Sequence, residues 1–192
     1  MRQDKISGAS EIEDVFIRRI KAFLGKKEIF NECLSFLSLY PSMGSIWRIA
    51  NLSFLHGRNA IKKFEMIRKA KEEVLKNSMK LNFSKILTYS RSSTVEKFIL
   101  SKNLEVICSE SRPKFEGRKL IKNLAGKNFT LVADCAIFSF IDRVDAIVVG
   151  ADAIVNYGIV NKVGTSPIAF LQKRRKNLFM FYHHLIKGFL LL

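Results

Sequence analysis

Apolar residues recur along the first part of the chain at helical intervals. From Ala9 to Leu24 they are Ile12, Val15, Phe16, Ile20, Phe23 and Leu24, a spacing that returns side chains to one face of a helix. Ser10 stands three residues before Glu13, the arrangement of a capping box, and places a helix start there. Glu28 to Leu39 reads as a second amphipathic helix, Tyr40-Pro41-Ser42-Met43-Gly44 breaks the pattern, and a short helix follows around Trp47. A longer one, from about Asn59 to Asn77, turns Ile61, Phe64, Ile67, Val74 and Leu75 inward and its lysines and glutamates outward. The spacing predicts an all-helical domain over residues 1–80.

After Asn82 the period changes. Short β-rich runs follow one another: Lys85 to Tyr89, Glu105 to Cys108, Phe129 to Ala133 and Ala146 to Val149, each succeeded by a helical or loop stretch. A fifth, Leu178 to Tyr182, follows a helix that Thr165 and Pro167 start. These strands are apolar at successive positions rather than alternate ones, the mark of a parallel sheet covered on both faces. The expected fold is α/β, a mostly parallel, doubly wound (Rossmann-like) sheet over residues 84–192 preceded by the small helical domain.

Composition adds limits. Cys33, Cys108 and Cys135 are an odd number at wide spacings, which argues against a disulfide framework and a zinc site and for a reducing, cytoplasmic setting. The amino end is charged from its second residue and lacks the pattern of a secretory signal. No run reaches the ~20 apolar residues of a membrane span, and the tail from Leu178 to Leu192 is interrupted by His183, His184 and Lys187. The net charge of +16 would suit a polyanion. Yet 16 of the 33 basic and 9 of the 17 acidic residues fall in residues 1–80, so neither part is a basic arm and nucleic acid is the weaker reading of the charge.

In open parallel sheets ligands bind beyond the carboxyl ends of the strands, and here those ends are polar. Ser90-Arg91-Ser92-Ser93 follows the first strand, at a helix start where N–H groups favour an anion and the arginine can grip a phosphate. Ser109-Glu110-Ser111-Arg112-Pro113 follows the second, Asp134-Cys135 the third, and Gly150-Ala151-Asp152 the fourth. Asn161 and Lys162 stand in a loop just before the next helix. Taken singly, a serine here is a cap and an aspartate a turn residue; four or five such ends converging on one crevice read as a ligand site. Neither a Walker loop nor a GxGxxG fingerprint is present, no cofactor is called for, and the histidines form no metal pattern.

The same segments carry a resemblance. ILTYSRSSTVEKFIL, SESRPKFEGRKL, VADCAIFSF and VDAIVVGADAIVNYGIVNKVGT, in that order across residues 84–170, resemble the family that unites the initiation factor two-B alpha, beta and delta subunits with methylthioribose-1-phosphate isomerase and archaeal ribose-1,5-bisphosphate isomerase. SGASEI and YPSM look like its helical-domain motifs. For the isomerases the resemblance implies a catalytic cysteine after the first strand and a catalytic aspartate in the GAD motif, which together move a proton or hydride between C1 and C2 of an opened sugar. Asp152 matches the aspartate, but Ser90 holds the place of the cysteine, and a hydroxyl needs a dedicated base where a thiol does not. Ser7 and Tyr40 likewise stand where the isomerases carry arginines.

The residues that keep the pattern for sugar-phosphate contact are Gly8, Ala9, Arg91, Ser92, Arg112, Asn161 and Lys162. Members of the family continue past the fifth strand, so the resemblance implies a chain cut short at Leu192, with an apolar end that favours association. The leading expectation is a regulatory protein like the initiation factor two-B subunits that binds a phosphorylated sugar or nucleotide without turning it over. It would assemble with itself or with initiation-factor subunits. The alternatives are an aldose-1-phosphate to ketose-phosphate isomerase using Asp152, and a basic RNA-binding scaffold.

Overall fold

The computed structural model describes residues 9–41, 43–156, 158–175, 178–182 and 189–191. The chain divides into two compact units, residues 1–69 and 70–192.

The first unit is helical. α1 (Ala9–Ile20) is continued by a 3-10 turn, Lys21–Phe23, and followed by α2 (Ile29–Leu39), α3 (Gly44–His56), a second 3-10 turn and α4 (Ala60–Ser78), which runs through the division between units. Its core gathers Ile12, Phe16 and Ile20 of α1, Cys33 and Phe36 of α2, Ile46, Ile49 and Ala50 of α3, and Ala60 and Phe64 of α4. Phe16 and Phe36 stack with centroids 4.2 Å apart. Two expectations change. Val15 is 46% exposed, because a buried stripe centred on Ile12, Phe16 and Ile20 leaves it on the flank. Ser10 lies inside α1 rather than ahead of it, since the helix already begins at Ala9.

The second unit is a six-stranded sheet, parallel except at one edge. Its strands are β1 (Lys85–Thr88), β2 (Glu105–Ser109), β3 (Phe129–Val132), β4 (Ala146–Gly150), β7 (Leu178–Tyr182) and β8 (Phe189–Leu191), in the order β3-β2-β1-β4-β7-β8. Only β8 runs antiparallel, against β7. Between β4 and β7 a separate hairpin forms from β5 (Ala153–Val155) and β6 (Gly158–Val160). The helices are α5 (Ser93–Leu100), α6 (Glu116–Asn123) and α7 (Thr165–Arg175), while the β3–β4 crossover is a 3-10 segment, Ile137–Arg143.

Successive residues of the central strands serve opposite cores, which is why they show no alternation. Ile86, Val106, Val148 and Met180 join Val74 of α4, Phe98 and Ile99 of α5 and Leu120 of α6. Leu87, Ile107, Ile147 and Phe179 join Ile137 and Ile141 of the 3-10 segment and Ile168 of α7. Apolar on both faces through their middles, these strands carry polar side chains at or beyond their ends, as with the buried Thr88 that closes β1 and Ser109 that closes β2. Within the described residues no helix is long and apolar enough to cross a membrane.

The burial contrast is measurable. Phe98→Ala, which empties a fully buried position beneath the sheet, is expected to cost about 3–5 kcal/mol in urea unfolding, whereas Val15→Ala should stay within about 0.5 kcal/mol of the parent.

Candidate functional site

The carboxyl ends of β1, β2 and β3 are tied together by one carboxylate. Asp134, just past β3, accepts the N–H groups of Ser111 at 2.7 Å and Arg112 at 2.8 Å through its two oxygens. Ser111 Oγ in turn accepts the N–H of Ser90 at 2.8 Å and lies 3.1 Å from Ser109 Oγ. Burial alone would raise the Asp134 pKa; the N–H of Arg112, the Ser109 hydroxyl and the N–H of Ser111 outweigh it and hold the carboxyl below its ordinary value. Ser90 and Ser111 are both left-handed, with φ of 68° and 60°. Such backbone costs a non-glycine residue energy and persists where surrounding bonds over-determine it, as they do here.

Three glycines let the elements close on this rim. A Cβ on Gly117, in the first turn of α6, would fall 1.7 Å from the Ser109 carbonyl oxygen, and one on Gly150 would fall 2.7 Å from Ser92 Cβ. Gly164 has φ of 106° and leaves space for the Tyr89 hydroxyl, 2.3 Å from where its Cβ would be. Tyr89 is buried, and that burial together with the charges of Asp134 and Glu116 raises its phenol pKa.

On the other side of β1, the β5–β6 hairpin sets the geometry. β6 pairs with β5, Asp152 N–H donates to Val160 O at 2.9 Å, and Asn161 and Lys162 stand between β6 and α7. This pairing closes the gap between Asp152 and the Asn161-Lys162 pair. Asp152 is open to solvent, yet surrounding protein raises its carboxyl pKa against the opposing charge of Lys162. Lys162 Nζ donates to both oxygens of Glu116, at 2.8 and 2.9 Å, and Asn161 Nδ2 donates to Thr165 Oγ1 at 3.1 Å, at the start of α7.

The remaining candidates divide. Ser92 occupies the N-cap position of α5 but makes no side-chain cap bond, so its hydroxyl beside Gly150 is not spent on the helix end. Arg91 turns to Glu96 at 3.1 Å, and that carboxylate also accepts Asn123 Nδ2 at 2.9 Å. Arg112 reaches outward, stacked on the Phe115 ring at 4.8 Å and 3.4 Å from Glu110, which also binds Arg118. Ala9 opens α1 in the helical unit, and Gly8 lies outside the described residues, as does Ser7. Tyr40 is buried in the helical core with its ring 6.4 Å from that of Phe36.

Ser111, Asp134, Tyr89 and Glu116 hold the rim together; the sequence placed Ser111 and Asp134 among the polar strand ends but assigned no individual contact to any of the four. Their signal was only a polar residue after an apolar strand, and their bonds join residues more than twenty apart. Among the described residues no group of three or more histidine, cysteine or acidic side chains is placed to hold a metal. The rim offers hydroxyls, N–H groups, one ammonium and one carboxyl of raised pKa, a set suited to binding an oxyanion and moving a proton beside it.

Asp134→Ala is expected to destabilise the fold by about 1–3 kcal/mol at neutral pH. Because the folded carboxyl pKa is depressed, its contribution is present above the unfolded pKa and lost as pH falls through the folded one, so the deficit should vanish in acid unfolding series. Gly117→Ala must displace the Ser109 carbonyl and should cost about 1–3 kcal/mol by the same measurement.

Comparison with known proteins covers both units. The chain matches the model of the Initiation factor 2 subunit family over residues 51–183. Ribose 1,5-bisphosphate isomerase of Archaeoglobus fulgidus is 30% identical over 210 residues, spanning 94% of this chain and 67% of that protein. The crystal structure of the Pyrococcus horikoshii OT3 translation initiation factor eIF-2B aligns with a TM-score of 0.76 at 26% identity, covering 93% of this chain and 74% of that one. The tetrameric eIF2B-beta2-delta2 complex from C. thermophilum aligns with a TM-score of 0.65 at 17% identity, over 93% and 72%, a likeness of fold alone. The family match takes in every strand end of the rim from β1 to β7, and the chain belongs to the Initiation factor 2 subunit family.

Proposed function

We propose that this chain is a regulatory member of its family, binding a phosphorylated sugar or nucleotide at the strand-end rim without turning it over, and assembling with a second copy or with initiation-factor subunits in the cytoplasm. The observation that carries this reading is the state of Ser90. It stands in the place of the isomerases' cysteine, its N–H is committed to Ser111 Oγ, and the one described histidine, His56, belongs to the helical unit. A hydroxyl without a dedicated base is a poor nucleophile or proton relay. The binding half of the site is better supported: Ser92 Oγ is not used as a cap, and Lys162 is held by Glu116 beside Asp152.

The second reading, an aldose-1-phosphate isomerase, is favoured by the raised pKa of Asp152, which suits a carboxyl that gives and takes a proton, and by the name of the Archaeoglobus relative. A coupled assay with ribose-1,5-bisphosphate and methylthioribose-1-phosphate separates the two. No turnover is expected. Turnover that Asp152→Asn abolishes would replace the regulatory reading with the enzymatic one.

Ligand binding has its own readout. A compound that binds only the folded chain at a hundred times its Kd adds about 2.7 kcal/mol of stability. A panel of sugar phosphates and nucleoside monophosphates is therefore expected to contain members that raise Tm, with Lys162→Met weakening their affinity about tenfold. A flat response across the panel would remove the site altogether.

A further inference from the structure

The helical unit contains a cation that the strand-end rim does not use. Arg48 lies on α3, half-buried and off the face that Ile46, Ile49, Ala50 and Ser53 turn into the core. Its Nε and Nη2 are both buried, and neither has a hydrogen-bond partner among the described residues. Buried guanidinium nitrogens are costly to leave unpaired, and native proteins almost always pair them.

The identity of the two orphaned atoms says what they fit. Nε and Nη2 share one edge of the guanidinium, where their N–H bonds run side by side. That edge grips two oxygens of a single carboxylate or phosphate, a geometry that lysine cannot reproduce. Glu13, buried on α1, lies near enough for its charge to oppose the effect of burial on Arg48, and so favours the charged form of the guanidinium. It does not supply an acceptor to this edge.

We propose that Arg48 is the floor of a second oxyanion site, contained in the helical unit, that holds a phosphate-type group through a side-on pair of hydrogen bonds from Nε and Nη2. It is independent of the rim: every residue invoked falls in residues 1–69. Because Glu13 offsets part of the positive charge, binding there depends on the two directed bonds more than on net charge. Inorganic phosphate should be distinguished from chloride at equal ionic strength, and Glu13→Gln should bind phosphate more tightly than the parent.

The test is a titration of inorganic phosphate into the full-length, nitrogen-15-labelled chain. The arginine Nε–H resonances are followed, that of Arg48 being assigned by its loss in Arg48→Lys, and Tm is recorded in parallel. The expected result is a saturable shift of the Arg48 resonance and a rise in Tm, with affinity falling about tenfold or more in Arg48→Lys. Both responses should persist in Lys162→Gln, which separates this site from the rim.

An Arg48 resonance that stays fixed while phosphate raises Tm would place the ion elsewhere and overturn the proposal. So would equal affinity in the parent and Arg48→Lys, or sodium chloride shifting the Arg48 resonance as far as phosphate does. Should Arg48→Lys fail to fold, the parent's resonance and its response in Lys162→Gln decide alone, with Arg48 then assigned from the backbone of α3.

Discussion

Burial of both faces of the central parallel strands is the constraint on which this molecule depends. Ile86 and Leu87 point into different cores, as do Val106 and Ile107, and Ala146 and Ile147. A strand enclosed in this way carries its polar groups at its ends or past them, so Ser90, Ser111, Asp134 and Asp152 collect along one end of the sheet. The site is a consequence of how the core is packed. A single carboxylate, Asp134, then converts a row of loop ends into a fixed rim by taking two N–H groups from the β2–α6 loop, while Ser111 passes the constraint on to Ser90.

In this member of the Initiation factor 2 subunit family the rim also depends on close approaches of backbone to side chain. At Gly117, Gly150 and Gly164 a side chain would force neighbouring atoms apart. Asp152, Asn161 and Lys162 are brought together by the β5–β6 hairpin. The group just past the end of β1 is the hydroxyl of Ser90 and not a thiol. The chain's thiols do not stand in for one: Cys33 and Cys108 are buried, with pKa values pushed up to about 11 and 12 by desolvation, and exposed Cys135 follows Asp134 at the end of β3, which β2 separates from β1.

The two units differ in how they treat charge. In the α/β unit the cations near the rim are held by neighbouring carboxylates: Arg91 by Glu96, Arg118 and Arg112 by Glu110, and Lys162 by Glu116. In the helical unit, Arg48 presents two buried nitrogens with no described acceptor. A net charge of +16 is therefore a poor guide to binding, since it does not separate cations already held by carboxylates from those that are not.

The strand runs, the helical periods and the change of texture near residue 82 were legible in the sequence because each rests on local spacing: 3.6 residues per turn, or an unbroken apolar run. The polar strand ends were legible for the same reason, and the order of the four motifs carried the family. Other features were not. The β5–β6 hairpin has strands of three residues each, too short for any period to show. Val15 satisfied the helical spacing but lies on the flank, because the width of the buried stripe depends on what packs against it. The bonds of Asp134, the left-handed turns at Ser90 and Ser111 and the unpaired edge of Arg48 exist only once distant segments meet. The sequence by itself determined the elements and which residues stand at their ends. Tertiary structure alone decided which of those residues share a hydrogen bond, since such pairing depends on separation in space, and no local spacing encodes it.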